Sequence, residues 1–179
     1  MRFEDFSGLR VLAWFLENPT RRIHFKGLCR ELGLGPLTVK TYCEGFLKRG
    51  WILEERGANL RVFFLNNEDF VVKAVKRAHF LARLKDERAG LLADDSAVSL
   101  ALYGSHASGE FDEKSDVDML VIGHREHVGH STLKRLEKRL KRQIQLTVLP
   151  LEKWEKNKTR DPFMLSVLKN HVVLKGAPL

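Results

Sequence analysis

The chain has 179 residues, 44% of them apolar and 30% charged, with a formal net charge of +8. That apolar content supports one or two small cores and excludes a disordered chain, and no apolar run approaches the ~20 residues that span a bilayer. The N-terminal MRFEDFSGLR carries acids and lacks the apolar stretch of a secretory signal. The two cysteines, Cys29 and Cys43, fall on apolar positions of expected helices, so reduced thiols and a cytoplasmic location are expected. The positive excess is spread along the chain rather than gathered in a tail. It points to folded-surface patches and an anionic partner, most simply nucleic acid.

In chain order, Leu9, Leu12, Ala13 and Leu16 recur at helical spacing, with Ser7 placed as N-cap, and Asn18-Pro19 stops the helix. Arg22 to His24 reads as a short extended piece. Phe25 to Leu32 is the next helix, with Leu28, Cys29 and Leu32 on one face. Gly33-Leu34-Gly35 is a tight turn, and Pro36 opens a third helix whose buried stripe is Val39, Tyr42, Cys43, Phe46 and Leu47. Gly50 ends it. Trp51 to Leu53 and Leu60 to Leu65 read as strands around a hairpin tip at Gly57-Ala58-Asn59. The run LCRELGLGPLTVKTYCEGFLKRGWI followed by this hairpin resembles the winged helix-turn-helix domains of prokaryotic transcriptional regulators. The resemblance implies a DNA-binding domain over residues 1–67. Thr38, Lys40 and Thr41, on the third helix, would face bases or phosphates, and Arg56 and Arg61 on the wing, with Arg21 and Arg22, would reach phosphate.

Residues 68–90 read as a connecting helix, with Val71, Ala74, Val75, Ala78, Leu81 and Leu84 on its apolar face and Lys73, Lys76, Arg77, Arg83, Lys85 and Arg88 on the rest. Ala97 to Tyr103 is a buried strand broken by Gly104-Ser105. Asp116-Val117-Asp118 then opens a second apolar run, Met119 to Ile122. Alternation along a strand puts Asp116 and Asp118 on one side. Two adjacent carboxylates repel unless a cation sits between them, and an oxygen-only environment suits Mg²⁺. Gly104 supplies a sharp turn, and Ser105 is expected to cap the helix that follows and leave N–H groups for an anion. His106 follows the turn and is a candidate to face a bound phosphate or base.

The set Gly104, Ser105, Ala107, Gly109, Ser115, Asp116, Asp118, Leu120 and Val121 resembles the signature of the minimal polymerase-β-like nucleotidyltransferases. The resemblance covers about the last half of the chain, residues 91–179. It implies an α+β fold with a mixed sheet and flanking helices behind the winged helix-turn-helix. It also implies transfer of a nucleoside monophosphate from an NTP to a hydroxyl, with Asp116 and Asp118 as catalytic Mg²⁺ ligands and Gly104, Ser105 and His106 against the nucleotide. Such domains often pair with a helical HEPN-type partner, and a homodimer is a further assembly to consider. The alternative is a transcriptional regulator whose degenerate transferase domain senses a nucleotide. In the family a third carboxylate stands on the strand expected here at Ile144 to Val148. Its outward positions are Gln143, Gln145 and Thr147, none acidic, and Gln145 is the expected replacement.

Three histidines, His124, His127 and His130, read as exposed loop residues rather than a zinc site. Ser131 to Gln143 is an amphipathic helix with Leu133, Leu136 and Leu140 inside and Lys134, Arg135, Lys138, Arg139, Lys141 and Arg142 outside. Asp161 to Asn170 is a further helix, and His171 to Leu174 a last strand.

Overall fold

The computed structural model describes residues 6–57 and 60–179. The chain divides into two compact units between His79 and Phe80. In the first, three helices, α1 (Ser7–Glu17), α2 (Phe25–Leu32) and α3 (Pro36–Lys48), pack on an antiparallel sheet of β1 (Ile23–His24), β2 (Ile52–Gly57) and β3 (Leu60–Leu65), in the order β1-β3-β2. β2 and β3 pair from Ile52 opposite Leu65 to Gly57 opposite Leu60, and Ala58 and Asn59 of the expected hairpin tip lie outside the described residues.

α1 begins at Ser7, its expected cap, so the cap lies one residue earlier. The Arg10 N–H bonds to the Phe6 carbonyl, so Phe6 holds the cap position and Ser7 is already helical. Val11, Trp14 and Phe15 join Leu12 and Leu16 in the core, a wider buried face than the leucine spacing alone marks. Trp14 Nε1 donates to Glu31 (2.6 Å), which ties α1 to α2. In α3, Val39 and Cys43 are buried, and burial pushes the Cys43 thiol up to about 12. Tyr42 is not part of that stripe. It is 37% exposed and lies over Gly8, where a Cβ would collide with its ring.

α4 (Phe70–Asp86) starts on an Asp69 cap, whose carboxylate accepts the N–H groups of Val71 (2.8 Å) and Val72 (2.9 Å). Its buried line is Val72, Lys76, His79, Phe80 and Leu84; of the expected face Leu84 is buried and Val75 and Leu81 are partly buried against the cores, while Ala74 and Ala78 are exposed. Burying valine and phenylalanine removes more apolar surface from water than burying alanine, and that sets the rotation of the helix. Lys76, expected on the solvated face, is 2% exposed and donates to Asn67 Oδ1 (3.1 Å). Its methylenes lie in the core while its ammonium keeps an oxygen partner.

The second unit is built on a mixed sheet of β4 (Ser99–Tyr103), β5 (Val117–Ile122), β6 (Ile144–Leu149) and β7 (His171–Gly176), in the order β6-β5-β4-β7. β4 pairs antiparallel with β5 and β7, and β5 pairs parallel with β6. α6 (His130–Leu140) makes the β5–β6 crossover and buries Leu136 and Leu140 with Leu100, Leu102, Met119 and Val121 on one face of the sheet. On the other face Tyr103, Leu120 and Ile122 pack with Trp154 of α7 (Leu151–Asn157) and with Met164 and Val167 of α8 (Pro162–Lys169). α8 starts on an Asp161 cap, which accepts the Met164 N–H (3.1 Å). The whole is α+β. His124 and His127 sit at a 3-10 turn, and among the described residues no group of three or more His, Cys, Asp or Glu is placed to hold a metal. No helix among them is long and apolar enough to cross a membrane.

Candidate active site

The site lies where β5 begins and β4 ends. Asp118, Tyr103, Gln145 and His171 occupy one row across the four strands: Asp118 is in register with Tyr103 and with Gln145, and Tyr103 with His171. Neighbours in register share a face of the sheet. Gln145, at the position expected to have lost an acid, therefore stands directly beside Asp118.

Gly104 opens the short helix α5 (Gly104–Ser108) with φ +69, and a Cβ there would overlap the Asp118 carboxylate. The turn and the carboxylate occupy adjoining space that only glycine leaves open. Ser105 is the second residue of α5 and makes no cap; the cap position belongs to Tyr103, without a side-chain hydrogen bond. Gly104→Ala is expected to fold with a clear drop in melting temperature, about 1–3 kcal/mol, and to displace Asp118. Thermal melts and Mg²⁺-dependent nucleotide binding measured on one preparation check both effects.

The loop before β5 is held from two sides. Asp112 accepts N–H groups from Lys114 (2.8 Å) and Ser115 (2.9 Å), and these bonds, with the Ser115 hydroxyl, keep its carboxyl below the usual range. Arg142, expected to project outward, instead donates Nη1 to the carbonyls of Asp112 (2.6 Å) and Ser115 (3.0 Å) and lies over Phe111. The motif serine thus shapes the loop that presents Asp116. Asp116 is exposed and Asp118 half-buried. Burial, with the Asp116 charge adding to it, raises the Asp118 carboxyl above its ordinary value.

His106 does not face this site. It is fully buried, its ring stacked on Phe111 (4.3 Å between centroids) and packed against Phe80 (4.4 Å). Contact with these two aromatic rings draws it inward, so His106 is a core residue and not the nucleotide contact expected. Residues not expected at the site do line it. The Tyr103 hydroxyl is 3.2 Å from Thr147 Oγ1, and burial raises its pKa while the Thr147 bond pulls the other way. The Asn170 amide, oriented to satisfy both neighbours, donates to Ala107 O (3.3 Å) and accepts the Ser108 N–H (3.2 Å), pinning α5 to the strand that follows. No local pattern marks Asn170, because its partners are some sixty residues away in sequence.

In the first unit the basic residues expected at phosphate are paired with acids. Lys40 pairs with Glu44 (3.8 Å), the Thr41 hydroxyl donates to Leu37 O (2.9 Å), and Thr38 is half-buried. Arg56 (3.0 Å) and Arg61 both bind Glu54. Arg22 binds Glu55, and Arg21 binds Glu31 (3.0 Å).

A mixed α+β sheet carrying a glycine turn against paired aspartates is a scaffold suited to phosphate chemistry. Residues 81–175, more than half of the chain, match the family model described as Nucleotidyltransferase domain, and the chain belongs to that family. No curated protein matches it.

Proposed function

We propose that the protein transfers a nucleoside monophosphate from an NTP to a hydroxyl, with Asp116 and Asp118 as the divalent-cation ligands and Gly104-Ser105 against the triphosphate. The observation that carries this reading is the interlock of Gly104 with the Asp118 carboxylate in a chain of this family. The donor set fits Mg²⁺: two carboxylates and a neighbouring amide offer only hard oxygen, and Mg²⁺ commonly takes one or two carboxylates and completes its shell with water and substrate phosphate. Bound there, the ion would neutralise charge on the phosphates. The chain's own residues orient the nucleotide: the Gly104 turn admits phosphate close to backbone, and the pinned 109–116 loop fixes the Asp116 backbone.

The test is calorimetry with each NTP, with and without Mg²⁺, followed by radiolabel transfer from the tightest binder. Mg²⁺-dependent binding with label on an acceptor is expected; no binding of any NTP would end this reading. A second reading, a nucleotide-sensing regulator without turnover, is favoured by Gln145 in register beside Asp118, since an amide takes up no proton. Binding without transfer would select it.

The domain organisation we propose is a winged helix-turn-helix over residues 1–67, a connecting helix over 68–90 and the transferase domain over 91–179. Three helices and a β1-β3-β2 sheet support the first, with α3 as the groove-reading helix. Lys40→Ala and Arg56→Ala are each expected to weaken DNA binding and to lower its log–log salt slope by ~1. Filter binding from low to high salt measures this, and an unchanged slope would argue against α3 and the β2–β3 hairpin as the DNA face.

A further inference from the structure

β7 ends the sheet of the second unit. Among the described residues it pairs with β4 alone, so one rim of its backbone N–H and C=O groups has no ladder partner. Its first five residues are half-buried, whereas β4 beside it is buried throughout.

A groove follows this rim. Leu81 and Leu84 of α4 line a cavity of about 370 Å³ together with Val172, Val173 and Leu174 of β7. A second cavity, of about 410 Å³, continues past Leu91 and Lys175, and the two share Arg88 and Gly90. Side chains alternate between the faces of a strand, so a cavity lined by three consecutive residues meets the strand at its edge. The bordered stretch, from Val172 to Lys175, is about 10 Å of strand. A long hollow against unpaired backbone suits an extended chain better than a compact ligand, because an extended chain both fills the length and completes the ladder.

Electrostatics select the kind of chain. Lys85 and Arg88 line the groove, are exposed, and make no ion pair among the described residues. The other charges at the groove, Lys175 and Asp95, bind each other (2.8 Å), and Lys175 also donates to the Ala93 carbonyl (2.8 Å). That pair adds no net charge, so two uncommitted cations stand over an apolar floor.

Arg88 supplies an independent sign. With φ +53, it and Lys141 are the only non-glycine residues of positive φ among the described residues. Glycine takes this backbone without strain and arginine does not. A strained, exposed and unpaired arginine at the mouth of an apolar groove fits a ligand contact better than a folding role. A second copy of the chain is the poorer occupant. Two β7 edges set side by side would bring both basic sets together, and like charges facing each other are destabilising.

We infer that the β7 edge docks an extended segment of a partner protein by strand addition, with an apolar side chain in the groove and acidic residues beside it against Lys85 and Arg88. Backbone pairing supplies affinity, and the groove with its two cations selects the sequence. β4 separates this edge from β5, so docking leaves Asp116 and Asp118 open, and the inference does not depend on nucleotide transfer.

The test is selection of a displayed library of short random peptides on the full chain without nucleotide, followed by fluorescence anisotropy of the enriched peptides. The enriched sequences are expected to set an apolar residue among acids, and to bind Lys85→Glu/Arg88→Glu about ten-fold more weakly or worse. Both positions are exposed, so the variant keeps its fold, which thermal melts check. Lys153→Glu/Lys156→Glu on α7 is the charge control and should bind as the wild type does. No enrichment, equal affinity for wild type and the Lys85/Arg88 variant, or equal weakening in the control would overturn the proposal. Amide hydrogen exchange reads the pairing: bound peptide should slow exchange within residues 172–174, and binding without slowing there would overturn strand addition. Arg88→Gly alone should melt no lower than wild type and still bind more weakly; a lower melting temperature with unchanged affinity would assign Arg88 to the fold and remove it from the contact. Sedimentation without peptide examines the other occupant: a concentration-dependent dimer that slows the same amides would overturn the partner reading and assign the edge to a second copy.

Discussion

Gln145→Asp is expected to raise nucleotidyl transfer by about two orders of magnitude, the low end of what a positioned general base contributes. The strand register places residue 145 beside Asp118 on the same face, and neighbouring strands lie about 4.8 Å apart. A carboxylate there would reach the space around Asp116 and Asp118 from the adjoining strand and accept the proton of an incoming hydroxyl. An amide at that position offers a ligand oxygen and no basicity. The substitution also adds a third negative charge to a pair that already repel, so the variant should melt lower without Mg²⁺ and recover more than the wild type when Mg²⁺ is added. Single-turnover label transfer together with melts at graded Mg²⁺ separates the two effects. If transfer stays unchanged while Mg²⁺-dependent NTP binding is intact, the missing acid is not what limits the reaction.

Asp118→Asn should show the opposite pair of effects: loss of Mg²⁺-dependent nucleotide binding, and a native state a few degrees more heat-resistant near neutral pH without divalent ions. Burial, and then the charge of Asp116, raises the Asp118 carboxyl above its ordinary 3.8. The folded protein therefore holds this proton more tightly than the unfolded chain does. Stability from this group is full below 3.8 and is lost as pH rises to the raised value, and the cost persists above it. Asparagine carries no such cost, so the two melting curves should converge in acid and separate as pH climbs. Asp116→Ala/Asp118→Ala should likewise abolish Mg²⁺-dependent binding. Retention of full affinity in either variant would exclude these carboxylates as the cation ligands.

The sequence states the local elements well and the long-range meetings poorly. α2 runs over Phe25–Leu32 as its spacing indicates, because Gly33 with φ +62 closes it and the preceding strand opens it. The Gly104 turn and the paired aspartates are legible for the same reason: each residue type is dictated by its own backbone or its neighbour on the strand. The α4 rotation is not. Counting Ala74 and Ala78 as apolar gives a plausible stripe, and only the larger Val72 and Phe80 reveal which stripe is buried. His106 misleads for a related reason: its partners Phe80 and Phe111 come from other segments, and nothing beside it in sequence announces them. α7 escapes notice because Trp154 is its one buried side chain among lysines and glutamates. Arg142 is indistinguishable by composition from the bases around it, and only the loop it holds sets it apart.

The strand order β6-β5-β4-β7 bears on how the chain is made. β4 lies between β5, which soon follows it, and β7, which comes about seventy residues later. During synthesis the sheet of the second unit stays unfinished, with one side of β4 open, until residues 171–176 have left the ribosome. The sheet of the first unit needs nothing beyond Leu65. Nascent chains stalled between these two points would carry a closed N-terminal core and an exposed strand edge, the state in which a chaperone or a stray strand finds the protein most receptive.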